Sequence, residues 1–295
     1  MTSPIVKASP TADSSPPSLQ RAVGAASLRT AKNQGRTRIA DLYQKANAKI
    51  RVPRQHHEHL EAVLINTAGG ITGGDRLDWT IQGDEATKTL ISTQACERIY
   101  RRGSGPEPAF INSRLTVADN AHLLWLPQET ILFDGAALKR TLIADLAAHA
   151  RLTALETIVL GREAMEETIA TLSLEDRWEI TSNGALVHAD NVRIGPSNIN
   201  QLTTLARLKD HTVFGTLVDI APNRAPFETD QRLAMTARLQ GLAASDPLLQ
   251  IGASIFPHKT IIRFTARTSY HLRARLPDLL KELVPEYALP AVWRL

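Results

Sequence analysis

Short apolar and β-branched runs, each closed by turn residues, dominate the chain from about residue 20 to 160 and predict strands. Thr87 to Thr93 is rich in threonine and isoleucine. Ala121 to Leu126 is a short apolar run, broken by Pro127 and Gln128. Thr130 to Phe133 resumes it, and Asp134-Gly135 supplies a turn. Ala154 to Leu160 is stopped by Gly161. Trp178–Thr181 and Leu186–His188 flank Asn183-Gly184, a strong hairpin signal. His211 to Ile220 and Ile261 to Phe264 are further strand candidates.

Helical patterns come late. Asp230 is placed to cap a helix running to about Leu242, with Ala234, Met235, Leu239 and Leu242 as its apolar positions. Ser269 to Leu283 predicts a second helix, with Pro277 expected at a break or in a first turn. Residues 1–18 hold four prolines among small polar residues and read as a disordered tail. Order is expected from Leu19, with 19–295 forming a single β-rich domain. The expected fold is mainly β: stacked sheets in a roughly helical or sandwich-like arrangement, with a few helices toward the C-terminal half.

Composition narrows the class. Apolar residues make up 43% of the 295, enough for a sizeable core, and the net charge of +4 is too mild to demand nucleic acid. Cys96 is the single cysteine, so no internal disulfide forms and no thiolate-only metal site fits one chain. A reducing, cytoplasmic setting is expected. No apolar run approaches bilayer-crossing length, and the N-terminus lacks the apolar core of a signal peptide.

The unusual chemistry sits in three stretches. Asn66 to Leu77 reads NTAGGITGGDRL. A phosphate loop would need Lys then Ser or Thr after its glycines, where this chain has Asp75 and Arg76; the dinucleotide spacing fails too. Tight turns with φ > 0 are one reading; close backbone approach with a carboxylate presented at Asp75 is the other. That carboxylate is expected to meet an arginine or solvent. Residues 92–101, STQACERIYR, cluster Thr93, Gln94, Glu97, Arg98 and Tyr100. On a strand, Thr93, Ala95 and Glu97 would share one face. Either an internal network with Gln128, Glu129 and Asp134 or a water-filled passage would satisfy such groups.

His56, His57 and His59 surround Glu58, a set suited to nickel or zinc, but the flanking Arg51 to Gln55 favour a solvated loop. His258 and His271 read as structural or surface residues. No nucleophile elbow and no zinc-protease motif is present. An unfamiliar hydrolase or transferase site built on Asp75 and Glu97 is the enzymatic alternative.

Taken together, QRA (20–22), GRTRIADLYQ (35–44), NTAGGITGGDRL, STQACERIYR, WLPQETILFDGA (125–136), ETIVLGREAM (156–165), GASI (252–255) and LPAVW (289–293) resemble the urease accessory protein family UreD, called UreH in some organisms. The resemblance implies a non-enzymatic scaffold that helps deliver nickel to apo-urease. It implies a β-rich, roughly helical stack of sheets, binding to UreF and through it to the nickel-carrying GTPase UreG, docking on urease, and a polar tunnel for nickel in transit. No tightly bound cofactor is implied. A purely structural adaptor that opens urease is the family-level alternative. Carried onto this chain, Asp75 and Glu97 become transient nickel contacts. Ser92, Thr93, Gln94, Gln128, Glu129 and Asp134 become the tunnel or core network. Glu166 stands where the family commonly has glycine, and Cys96 where alanine is common. The histidine cluster lies outside the shared blocks. A partner-dependent scaffold of this kind is expected to be poorly soluble alone.

Overall fold

A computed structural model describes residues 21–54, 57–103, 105–165, 167–202, 204, 208–226 and 228–293. The 1–18 tail, the expected start at Leu19, His56 and Glu166 lie outside the described residues. In chain order the strands are β1 (Val23–Asn33), β2 (Arg36–Lys45), β3 (Ala48–Arg51), β4 (Leu60–Asn66), β5 (Arg76–Gly83), β6 (Lys88–Thr93), β7 (Glu97–Ile99), β8 (Ala109–Val117), β9 (His122–Leu126), β10 (Thr130–Leu132), β11 (Ala137–Leu146), β12 (Arg151–Leu160), β13 (Ser173–Ser182), β14 (Ala185–Ile194) and β15 (Val213–Ile220). Helix α1 (Thr229–Gly241), β16 (Leu249–Ile255), β17 (Lys259–Ala266) and helix α2 (Ser269–Leu283) complete the order.

These strands form two sheets. One runs β14-β13-β11-β8-β5-β1-β2 and the other β16-β17-β15-β12-β9-β6-β4-β3, with β7 and β10 attached to the second. From β4 to β13 the chain steps back and forth between the two. Neighbours within each sheet are therefore parallel, as in β5 with β8 and β6 with β9. A parallel crossover needs a long return path, which is usually a helix. Here a strand in the opposite sheet is that path, so the chain forms a flattened coil without crossover helices. The expected stack of sheets is what is found.

Burial explains why β12 is apolar on both faces. Leu152, Ala154 and Ile158 point between the sheets, while Leu155 and Val159 point toward the helical layer. The second layer is closed by Met235 and Leu239 of α1 and Leu272, Leu276, Leu279, Leu280 and Leu283 of α2. Among the described residues, no helix is long and apolar enough to cross a membrane.

Several local expectations change. Pro277 lies inside α2, not at a break or first turn. A mid-helix proline costs about 3 kcal/mol, which the row of buried leucines offsets. Helix α1 starts after Glu228, whose N–H donates to Gln231 Oε1 at 3.0 Å, so Asp230 lies in the first turn and is not the cap. Ala234 is exposed. The Asn183-Gly184 hairpin is present, both residues at positive φ (48° and 77°), as its turn type requires.

Candidate functional site

A cavity of about 260 Å³ interrupts the inter-sheet core. One end is framed by Asn66, Gly69, Gly70 and the 93–98 segment. Its depth is lined by Trp79, Ile111 and Ser113 of one sheet and Trp125 of the other, and it ends at Arg140 and Glu156. Ser113, Arg140 and Glu156 stand at inward positions where strand alternation otherwise places apolar side chains.

The 93–98 segment is not one strand. β6 ends at Thr93, the chain bends at Gln94 and Ala95, and β7 begins at Glu97. The predicted sorting of Thr93, Ala95 and Glu97 onto one face therefore fails, and Gln94, Cys96 and Arg98 line the cavity with them. The glycines make this approach possible. Gly70 sits at φ +143°, and a Cβ there would come 2.5 Å from Tyr100 Cε2 and 2.7 Å from Arg98 O. Tight turn and close approach are both realised in this motif.

Glu97 is the carboxylate at the cavity mouth. Asn66 Nδ2 donates to its Oε1 at 2.9 Å. Burial pushes its carboxyl up to about 7, against the opposing pull of that hydrogen bond. Gln128 closes the same rim: its N–H donates to Thr93 Oγ1 at 2.9 Å, and its amide to the Thr93 and Gln94 carbonyls at 3.0 and 2.9 Å.

Beside the rim, Arg273 of α2 clamps Glu129 through two hydrogen bonds of 2.5 Å. Burial alone would raise the Glu129 carboxyl, but this clamp outweighs it and holds the group below the usual carboxylate range. Cys96 Sγ lies 3.3 Å from Glu129 Oε2 and from Arg273 Nη2. Burial, with the Glu129 charge, pushes its thiol up to about 11.

At the far end, Arg140 is 3% exposed. Its Nη1 donates to Glu156 Oε2 at 2.5 Å and to Thr130 Oγ1 at 3.1 Å. Its Nε and Nη2 donate to Asp176 at 3.0 and 2.6 Å. The indole of Trp125 donates to Glu156 Oε1 at 2.9 Å. Burial raises the Glu156 carboxyl; Arg140 opposes this and Asp176 adds to it. Beyond the cluster lies a second small cavity of about 20 Å³, lined by Arg140, Glu156, Asp176, Asp190 and Thr216 among others.

The cavity brings together four of the eight residues picked from the sequence: Thr93, Gln94, Glu97 and Gln128. The other four face elsewhere. Asp75 meets neither an arginine nor solvent. It is 7% exposed, and its two oxygens accept the Ala22 and Thr72 amides, each at 2.9 Å, pinning the glycine-rich turn to the residue that leads into β1. Ser92 has the parity of Leu90, so it faces the helical layer and accepts the Trp293 indole at 3.1 Å. Asp134 accepts the Ala170 and Thr171 amides and pairs with Arg101. Glu129 belongs to the Arg273 clamp.

Sequence reasoning missed Asn66, Ser113, Arg140, Glu156 and Asp176. For Arg140, Glu156 and Asp176 a signal existed: charges at the core-facing register of their strands. The histidine loop is only partly solvated. His57 is exposed, but His59 is 7% exposed, with its ring stacked on His57 at 5.0 Å. Among the described residues, no group of three or more His, Cys, Asp or Glu is placed to hold a metal ion.

The fold and cavity define a two-sheet β-coil protein with a polar chamber between its layers. The family model described as UreD urease accessory protein matches residues 22–294. The urease accessory protein UreD of Chelativorans sp. is 39% identical, over 95% of this chain and 97% of its own length. That of Mesorhizobium japonicum is 40% identical, with the same coverage. Urease accessory protein UreD 1 of Brucella abortus is 40% identical over 94% of this chain and 95% of its own. The chain belongs to the UreD family of urease accessory proteins, as its sequence blocks implied.

Proposed function

We propose that the protein acts in urease maturation as a non-enzymatic scaffold, docking on apo-urease and passing nickel, handed over by UreF and UreG, through the chamber between its sheets. The work takes place in the cytoplasm, in keeping with the single thiol at Cys96. The observation that carries the route is Glu97. It is a half-buried carboxylate at the mouth of the chamber, near the amides of Asn66, Gln94 and Gln128 and the hydroxyl of Thr93 and away from the Arg140–Glu156 pair at the far end.

Nickel favours imidazole-rich sites, and no histidine lines this chamber. Oxygen and amide contacts hold the ion briefly, and passage requires contacts weak enough to release. A carboxyl raised to about 7 exchanges a proton for a cation near neutral pH.

The test is nickel incorporation into purified apo-urease with its partners present, comparing wild type with Glu97→Ala at equal complex assembly. Lost transfer with intact assembly is expected. Unchanged transfer would demote Glu97 to a member of a structural network and leave the scaffold role standing. A structural adaptor that opens urease without conducting nickel is the second reading. It is favoured by one observation: the chamber stops at Arg140.

A further inference from the structure

We propose that Arg140 is the gate of the inter-sheet passage, a resident cation that holds the route shut through Glu156 and Asp176 and must swing off Glu156 for a divalent cation to pass. This rests on the passage reading above and adds its regulation.

Three observations carry the proposal. The first is position. Arg140 and Glu156 line both the 260 Å³ chamber and the 20 Å³ cavity, so the cluster is the wall between two voids of one inter-sheet space. The second is polarity along the line. Carboxylates stand on both sides of the guanidinium, Glu97 toward one mouth and Asp190, itself paired with Arg263, toward the other, so Arg140 is the buried positive charge that stands between them. The third is charge count. Two carboxylates share one guanidinium, and burial raises the Glu156 carboxyl. A buried cluster short of positive charge favours taking up a second cation.

The hydrogen bonds indicate how the gate opens. Asp176 holds the guanidinium in a fork through Nε and Nη2, while Glu156 and Thr130 share Nη1. Rotation about the Asp176 fork frees Glu156 and Thr130 together and keeps the arginine paired. An incoming divalent cation takes the vacated Glu156 oxygen. The guanidinium is a stand-in for the ion that displaces it.

The experiment follows the initial rate of nickel transfer into apo-urease by complexes of verified equal assembly. Arg140→Lys keeps the charge but cannot fork. Arg140→Met with Asp176→Asn removes the cation and one anion together, so the net charge of the cluster is unchanged. Both are expected to raise the initial rate several-fold at limiting nickel. Two blocking variants test the passage separately: Gln94→Trp at the exposed mouth, where folding is not at risk, and Ser113→Leu in the chamber wall. Each is expected to lower transfer at least tenfold. If the blocks act and both Arg140 variants transfer at or below the wild-type rate, the gate is wrong and the passage stands. If neither block acts, the passage falls and the gate with it. Should the double variant fail to assemble, Arg140→Lys decides alone.

Discussion

Arg140 of β11 and Glu156 of β12 meet between the two sheets with Nη1 and Oε2 2.5 Å apart. The pair ties the layers together where the apolar core is interrupted. Breaking a buried pair from one side leaves an uncompensated charge and costs about 3–5 kcal/mol. Arg140→Met should therefore lower the thermal unfolding midpoint strongly. Arg140→Met with Asp176→Asn should recover part of that loss. A single variant as stable as wild type would show that water reaches the cluster.

The raised Glu97 carboxyl gives a pH signature. Its folded pKa of about 7 lies above the ordinary 4.5, so the folded protein binds more protons over that window. Stability should be highest below about pH 4.5 from this group, and should fall as pH rises through about 7. The full shift would correspond to about 3 kcal/mol, reduced to about 1–2 kcal/mol by partial solvent screening of a half-buried group. Denaturant unfolding at pH 5 and pH 8 should differ less for Glu97→Gln than for wild type. Equal slopes in the two proteins would place the Glu97 carboxyl back at its ordinary value.

Asp75 is a turn-holding residue in this structure. Asp75→Ala removes both acceptors of the Ala22 and Thr72 amides. Hydrogen bonds to a charged group are each worth about 1.5–3 kcal/mol, so a loss of about 3 kcal/mol is expected, with less assembled complex. Asp75→Asn keeps one carbonyl oxygen and should lose less. Transfer per assembled complex should stay at the wild-type level. A stable Asp75→Asn that assembles but does not transfer nickel would restore Asp75 to the route.

Cys96 should be a poor nucleophile. With its thiol pushed up to about 11 by burial and by Glu129, only about 0.1% is thiolate at pH 8. Glu129→Gln removes the second of these causes and should speed iodoacetamide labelling several-fold, read by intact mass. Arg273 acts in the opposite sense, so Arg273→Gln should slow labelling at constant exposure. Fast labelling of the wild type would show that the rim opens to solvent.

The sequence by itself determined the mainly β class, both helices and the strands β6, β9, β10, β12 to β15 and β17, with the Asn183-Gly184 hairpin and the α2 limits, because hydrogen-bond geometry and side-chain alternation are local. The glycine-rich turn was legible for the same reason. The sequence did not mark β1 to β5, β7, β8, β11 or β16, where charged and polar residues on the outward face interrupt the apolar runs or the strand is too short to show a period. The mouth of the chamber was half legible, since Thr93, Gln94 and Glu97 are near neighbours in the chain. Only the tertiary structure decided that Ser92 turns away from that chamber, because one residue along a strand reverses the layer a side chain faces, and that Asp75 and Asp134 sit in turns where backbone amides take up their carboxylates. It alone joined Arg140, Glu156 and Asp176, which come from three strands in two sheets. Each of them takes a core-facing register position that its strand otherwise fills with apolar side chains. The coil that stacks β11, β12 and β13 makes them partners.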